Sequence, residues 1–137
     1  MLDQTDLSIL ALLRENSRLL WKDIGEQVHL SGQAVGNRIR RMEEQGIIQG
    51  YTALIDDTKV GPLLTAMITM FMMTTDHQPF IRFIKERSEV ADAHRVSGEG
   101  CYLLVVHVPD QNALNAFLEE LLAFGNYRVN LSLGKLK

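Results

Sequence analysis

Three arginines fall within four positions, Arg38, Arg40 and Arg41, and they hold half of the positive charge of residues 1–50. A guanidinium is a rigid fork of donors that fits a phosphate or the edge of a guanine. Gln33 and Asn37, just upstream, carry amides that can pair with an adenine edge. Arg18 and Lys22 add two cations suited to phosphates. This is the chemistry of contact with double-stranded DNA. The bland alternative is a solvated helix face, since Glu43 and Glu44 follow directly and can pair with the arginines at the surface.

Other reactive groups are sparse. Cys101 is the single cysteine, so neither an intrachain disulfide nor a multi-cysteine zinc site can form, and a reducing compartment is expected. His94, His107 and Cys101 lie on neighbouring β-prone segments. A thiolate nucleophile needs a nearby base and an activating environment, and a packed cysteine beside ordinary histidines is the simpler reading. There is no phosphate-cradling glycine loop and no metal-binding helix motif, so no catalytic residue, cofactor or metal is expected. Met67, Met70, Met72 and Met73 read as core or interface filler.

Charge and length restrict the reading further. The chain has 137 residues and a net charge of −3. A general polyanion binder is usually basic, so any role on nucleic acid must rest on a local cluster. Residues 1–50 contain six basic and seven acidic groups, a balance of −1. The longest apolar stretch, Leu63 to Thr74, is shorter than the ~20 residues a membrane helix needs. The opening Met1-Leu2-Asp3-Gln4 carries neither a basic lead nor a small-residue cleavage site, and a cytoplasmic, nucleoid-associated protein is expected.

The elements that must position these residues follow from periodicity. Asp3 is a good N-cap, with Leu2 and Leu7 at the two positions of a hydrophobic staple. Leu7, Leu10 and Leu13, with Ile9 and Leu12, predict a first helix ending near Asn16. A second, short helix is expected from Leu20 to Val28. Ser31 caps a third, which runs to about Gln45, buries Val35, Ile39 and Met42, and stops at Gly46. Helices two and three, joined by about three residues, form a helix-turn-helix whose later member can lie in the major groove. Ile47 to Asp56 reads as an extended segment or wing. Residues 51–62 are thus wing strand and linker, between a DNA-binding unit at 1–50 and a second unit at 63–137.

Beyond the linker the period changes. Leu64 to Met73, Val90 to Val96, Tyr102 to Val108 and Tyr127 to Leu133 read as strands. Asp76 to Arg87 reads as a helix, and Asp110 caps another that Gly125 stops. The order is that of an α+β chain ending in a ferredoxin-like βαββαβ unit, with both helices on one face of an antiparallel sheet. The other face (Met67, Thr69, Phe71 and Met73, or their alternates) is too apolar for water, and a second subunit related by two-fold symmetry is expected to cover it.

The run from Leu30 to Tyr51, LSGQAVGNRIRRMEEQGIIQGY, resembles the recognition-helix signature of the Lrp/AsnC (feast/famine) transcriptional regulators. Leu2-Asp3 with Asp6, Ile9 and Leu10, then Asn16-Ser17-Arg18, resemble the same family's opening. Val96-Ser97-Gly98-Glu99 followed by Tyr102-Leu103-Leu104 resembles its second domain. The resemblance spans essentially the whole chain. It implies an N-terminal winged helix-turn-helix, a C-terminal ferredoxin-like ligand-binding and oligomerisation domain, and assembly as a homodimer, tetramer or octamer. It also implies that Ser31, Gln33, Ala34, Asn37, Arg38 and Arg41 face DNA. An amino-acid or other small-molecule effector is implied near Gly98, Glu99, Gly100, Cys101 and Tyr102.

Several positions depart from that pattern. Leu20 stands where many relatives have a Ser or Thr cap, and Trp21 beside it is unusually large; packing between helices is its simplest role. Cys101 replaces an Asp that many amino-acid-responsive relatives use to neutralise an α-amino group, and a thiol does that poorly. Arg128 and Asn130 stand where small hydroxyl residues are common. An effector other than a free amino acid, or none, therefore stays open. Lrp-like sequences also occur in haem-biosynthetic decarboxylases, and an enzyme here would rely on His94, Arg95, His107 and Glu99. An oligomerisation protein without DNA affinity is a third reading, which the intact arginine cluster disfavours.

Overall fold

The computed structural model describes residues 1–137. It opens on a reciprocal cap: the Asp6 amide donates to Asp3 Oδ1 at 2.8 Å, and the Asp3 amide donates to Asp6 Oδ2 at 3.1 Å. Two amides that would otherwise lack partners are thereby satisfied at the start of α1, Gln4–Glu15. Helix α2, Trp21–Val28, starts at Leu20 with no side-chain cap and ends at His29, which adopts a left-handed φ of 58°. Helix α3, Gly32–Glu44, is capped by Ser31, whose hydroxyl accepts from the Ala34 amide at 3.1 Å. At its other end the Gly46 and Ile47 amides turn back to the carbonyls of Glu43 and Met42, both at 2.9 Å. Gly46 sits there with φ of 70°, a conformation open to glycine.

The three helices close on Ile9, Ile24, Val35, Ile39 and Met42, all buried. The expected stripe of α3 is thus the one that faces inward. That of α1 differs. Leu7 is 48% exposed and lies outside this cluster, whereas Leu2 packs against it. The inward positions of α1 run through Asp6 and Ile9, which leaves Leu7 on its outer side. The expected wing is corrected as well. Residues 47–56 pair with no strand of this chain, and every ladder lies beyond residue 63. Extended backbone needs a neighbour to become a strand. What fastens this segment is α3 itself: the Ile48 amide donates to Met42, and the Tyr51 hydroxyl donates to Glu43 Oε1 at 2.8 Å.

The chain divides into two units, Met1–Leu54 and Ile55–Lys137. The second begins with a 3-10 turn, Asp57–Lys59, and then builds β1 (Leu64–Met72), α4 (Gln78–Glu86), β2 (Val90–Arg95), β3 (Tyr102–Val108), α5 (Gln111–Leu121) and β4 (Gly125–Leu131). The strands pair antiparallel in the order β2-β3-β1-β4. Period-two alternation does the sorting. Ala66, Ile68 and Met70 of β1 and Tyr102, Leu104 and Val106 of β3 are buried with Phe80 and Ile84 of α4 and Leu114, Phe117 and Leu121 of α5. Both helices therefore cover one face. The other face carries Met67 and Leu103, 42% and 38% exposed, with Thr69, Phe71 and Val105 half-buried.

The last helix and strand depart from expectation: β4 ends at Leu131, two residues short of the expected Leu133, which is fully exposed. Gly125 does not stop α5; it is the first residue of β4, opposite Met72. The helix ends at Leu121, and a turn brings Phe124 against Phe80 and Phe83. Gly100 is constrained by its backbone conformation as well as by its neighbours. It has φ of 81°, and a Cβ there would meet Thr69 Cγ2 at 2.5 Å and the Met70 carbonyl oxygen at 3.0 Å. The neighbouring Cys101 amide donates to that same oxygen at 2.7 Å, so the backbone has little freedom to withdraw. Gly100→Ala is expected to cost about 1–3 kcal/mol, read as a lower midpoint in denaturant.

Candidate nucleic-acid interface

Helix α3 shows two stripes that are not buried in the core. Gln33, Asn37, Arg40 and Glu44 are exposed along one of them. The other, Ala34, Arg38 and Arg41, leans toward the start of α1. Arg38 Nη1 donates to Asp3 Oδ2 at 2.6 Å and to Asp6 Oδ1 at 2.9 Å. Arg41 Nη2 donates to Asp6 Oδ2 at 2.6 Å. Asp6 has no accessible surface, while Arg38 and Arg41 keep 27% and 45% of their side chains exposed. Both oxygens of the buried carboxylate are occupied, and no buried side-chain polar atom in the chain lacks a partner. Burial alone would push the Asp6 carboxyl up. The Asp3 amide, the Arg38 guanidinium and the charge of Arg41 outweigh it and hold the group below the usual carboxylate range. Asp3 is likewise lowered, first by its hydrogen bond from Arg38.

The remaining expected contacts divide by position. Arg18 lies in the turn between α1 and α2, three residues before α2 begins, and its amide donates to Asn16 Oδ1. It lines an open groove of about 510 Å³ with Leu10, Leu13, Ile47, Tyr51 and Leu54. Lys22 is exposed in the first turn of α2, and Ser31 is engaged in its cap. Trp21 is 40% exposed. Its ring covers Gly36, where a Cβ would stand 2.4 Å from Cε3 and Cζ3, and the Arg40 guanidinium lies 5.1 Å from the ring centroid. Trp21 does pack between helices, as the sequence suggests, and keeps an outer edge free.

In the second unit, Gly98 to Cys101 form the turn between β2 and β3, with positive φ at both glycines. Glu99 accepts from Arg128 Nη1 at 3.0 Å, and Arg128 lies 5.3 Å from the Phe71 ring centroid. Cys101 is half-buried. Tyr102 is buried on the helix side, where its hydroxyl shares a 2.9 Å hydrogen bond with His77 Nδ1. His94 pairs with Asp92, and His107 Nδ1 with Thr65 Oγ1, so these groups do not converge with Cys101 on one point.

Two functional features escape a reading by residue type: Asp6 as the anchor of α3, and the pairing of Trp21 with Arg40. A signal for the first exists. Asp6 is three residues before Ile9 and seven before Leu13, on an inward stripe, and a carboxylate there demands cationic partners. Asp6→Ala is expected to destabilise the helical unit by about 3 kcal/mol, the low end for breaking a buried pair, because both guanidiniums retain some water. Carboxyls lowered on folding stabilise above their unfolded values near 3.8 and lose that contribution as pH falls through the folded ones. Acid titration of the parent, followed by circular dichroism, is expected to show a loss of helix below about pH 4 that Asp6→Asn diminishes.

Comparison with known proteins agrees with this architecture. Residues 2–43 match the AsnC-type helix-turn-helix domain, and residues 65–137 the Lrp/AsnC ligand binding domain. The HTH-type transcriptional regulator LrpB of Bacillus subtilis (strain 168) is 47% identical over 136 residues, 99% of this chain and 91% of that protein. LrpA of the same organism is 36% identical, covering 98% of this chain and all of that protein. Among solved structures, Bacillus subtilis LrpC superposes with a TM-score of 0.90 at 26% identity, covering 100% of this chain and 98% of that one. The Neisseria meningitidis regulator NMB0573 in complex with L-Met gives 0.91 at 30% identity, covering 100% and 93%. Helix-turn-helix, one-sided sheet and these matches together place the chain in the Lrp/AsnC family of transcriptional regulators.

Proposed function

We propose that the chain regulates transcription by presenting α3 to the major groove of double-stranded DNA, as a homodimer or a larger even assembly. The observation that carries this is the outward stripe of α3, where Gln33 and Asn37 are exposed and make no side-chain hydrogen bond within the chain. In a helix that enters the groove by its N-terminal half, Ser31, Gln33, Ala34 and Asn37 are the residues nearest the base edges. Arg18 and Lys22 are placed to hold phosphates, which fix register without reading sequence. Arg38 and Arg41 lie at the edge of this surface, and their ion pairs with Asp3 and Asp6 make orienting α3 their main task. The net charge of −3 keeps nonspecific affinity low, so two helices at half-sites about one turn apart must act together.

The half-exposed sheet face around Met67, Phe71, Leu103 and Val105 supports burial against a second copy. Leu103→Glu is expected to shift the protein toward monomer in sedimentation velocity while circular dichroism is retained. The turn Gly98–Tyr102 is the proposed effector site. The L-Met complex of the Neisseria regulator supports an amino-acid class of ligand, whereas Cys101 and the engagement of Glu99 by Arg128 favour one that presents no ammonium group to this turn. The assembly is taken to work in the cytoplasm, on the nucleoid.

Selection of duplexes from a randomised pool, followed by gel shift, tests the main reading. The parent is expected to enrich a sequence with two-fold symmetry. Asn37→Ala is expected to lose about 10- to 100-fold on that sequence and little on random duplex, the signature of a lost base-edge contact. A parent that enriches nothing, with or without the common amino acids, overturns the reading.

A further inference from the structure

The three clustered arginines have three different surroundings. Arg38 is bound to Asp3 and Asp6, and Arg41 to Asp6. Arg40 has no carboxylate partner; its guanidinium lies over the Trp21 ring, 5.1 Å from the centroid. We propose that Trp21 and Arg40 form one unit that delivers the free cation of α3 to a backbone phosphate of the bound duplex. This inference rests on the DNA-binding reading above.

The geometry favours this role in three ways. Arg40 is seven residues after Gln33 and three after Asn37, so it shares their outward stripe. It stands late in α3, and when the N-terminal turns of a helix enter the groove its later turns lie against the wall, where phosphates line up. Stacking on an aromatic face uses the plane of the guanidinium and leaves its edge donors free for an anion. Trp21 is in turn well fixed. It opens α2, and its ring rests on Gly36, where any side chain would collide with it. The flexible Arg40 side chain is thus held in place before DNA arrives. Glu44, one turn further along the stripe, is the nearby charge that opposes an anion on this face.

The test uses the full chain and the duplex it selects from a random pool. Arg40→Gln is expected to weaken binding about 10-fold. The loss should be equal on selected and random duplex, and the slope of log affinity against log salt should fall by about one. Arg82→Gln, the same charge change on α4, is expected to leave that slope alone. Trp21→Leu should weaken binding with Arg40 intact, Trp21→Phe should restore part of the loss, and the double variant Trp21→Leu/Arg40→Gln should be no weaker than Arg40→Gln alone. Trp21 is the only tryptophan, so its emission reports on the pair directly: Arg40→Gln is expected to change it in the free protein, and duplex to change it in the parent. A parent that binds while Arg40→Gln keeps its affinity and slope overturns this inference alone. A loss confined to one base pair of the selected sequence overturns the phosphate assignment. A parent that binds no duplex overturns the function reading instead.

Discussion

A single buried carboxylate sets the geometry on which the helical unit depends. Asp6 comes from the first turn of α1, and its partners Arg38 and Arg41 come from the second half of α3, 32 and 35 residues away. Apolar side chains such as Ile9, Val35 and Ile39 supply most of the attraction, but apolar packing is non-directional and tolerates small slides. Ion pairs with fixed donor geometry do not tolerate them. The carboxylate therefore converts a small, adaptable core into a helix held at a defined rotation, with Gln33 and Asn37 outward. The same bonds divide the arginine cluster, leaving one of three cations without a carboxylate.

The reciprocal cap between Asp3 and Asp6 extends this arrangement to the chain's start. Asp3 Oδ1 holds the Asp6 amide while its Oδ2 holds Arg38, so the capping residue and the anchor share one network. The second unit works by other means. There the sheet is sorted by alternation, with Ala66, Ile68 and Met70 inward and Met67, Thr69 and Phe71 outward. Its tightest constraints are close approaches at glycine, Gly125 against the Phe71 carbonyl and Gly100 against Thr69 and Met70, rather than charges.

Much of this was legible in the sequence, for reasons that differ by element. The inward stripe of α3, its Ser31 cap and its Gly46 stop are local signals, satisfied within one or two turns of chain. So is the alternation along β1 and β3, whereas β2, exposed along nearly its whole length, carries no such signal. The anchor was legible in position but not in residue type: Asp6 lies on the inward stripe of α1, yet an aspartate by itself does not name the guanidiniums that hold it. The wing expected within Ile47 to Asp56 needs a neighbouring strand that this chain does not provide. Gly125 looked like a helix stop because glycine marks both helix ends and close backbone approaches; here its Cβ would stand 2.2 Å from the Phe71 carbonyl oxygen. Where Arg40 sits was visible, but the ring beneath it comes from another helix.

Gly36 and Trp21 occupy one shared volume, and this has an evolutionary consequence. A methyl group at position 36 has no room while the indole remains, so variation at the two sites is ordered. The ring must shrink or turn away before the small residue can grow. With the indole in place, glycine is the residue that fits opposite it; with the indole gone, another side chain can refill the space, at the expense of the platform under position 40.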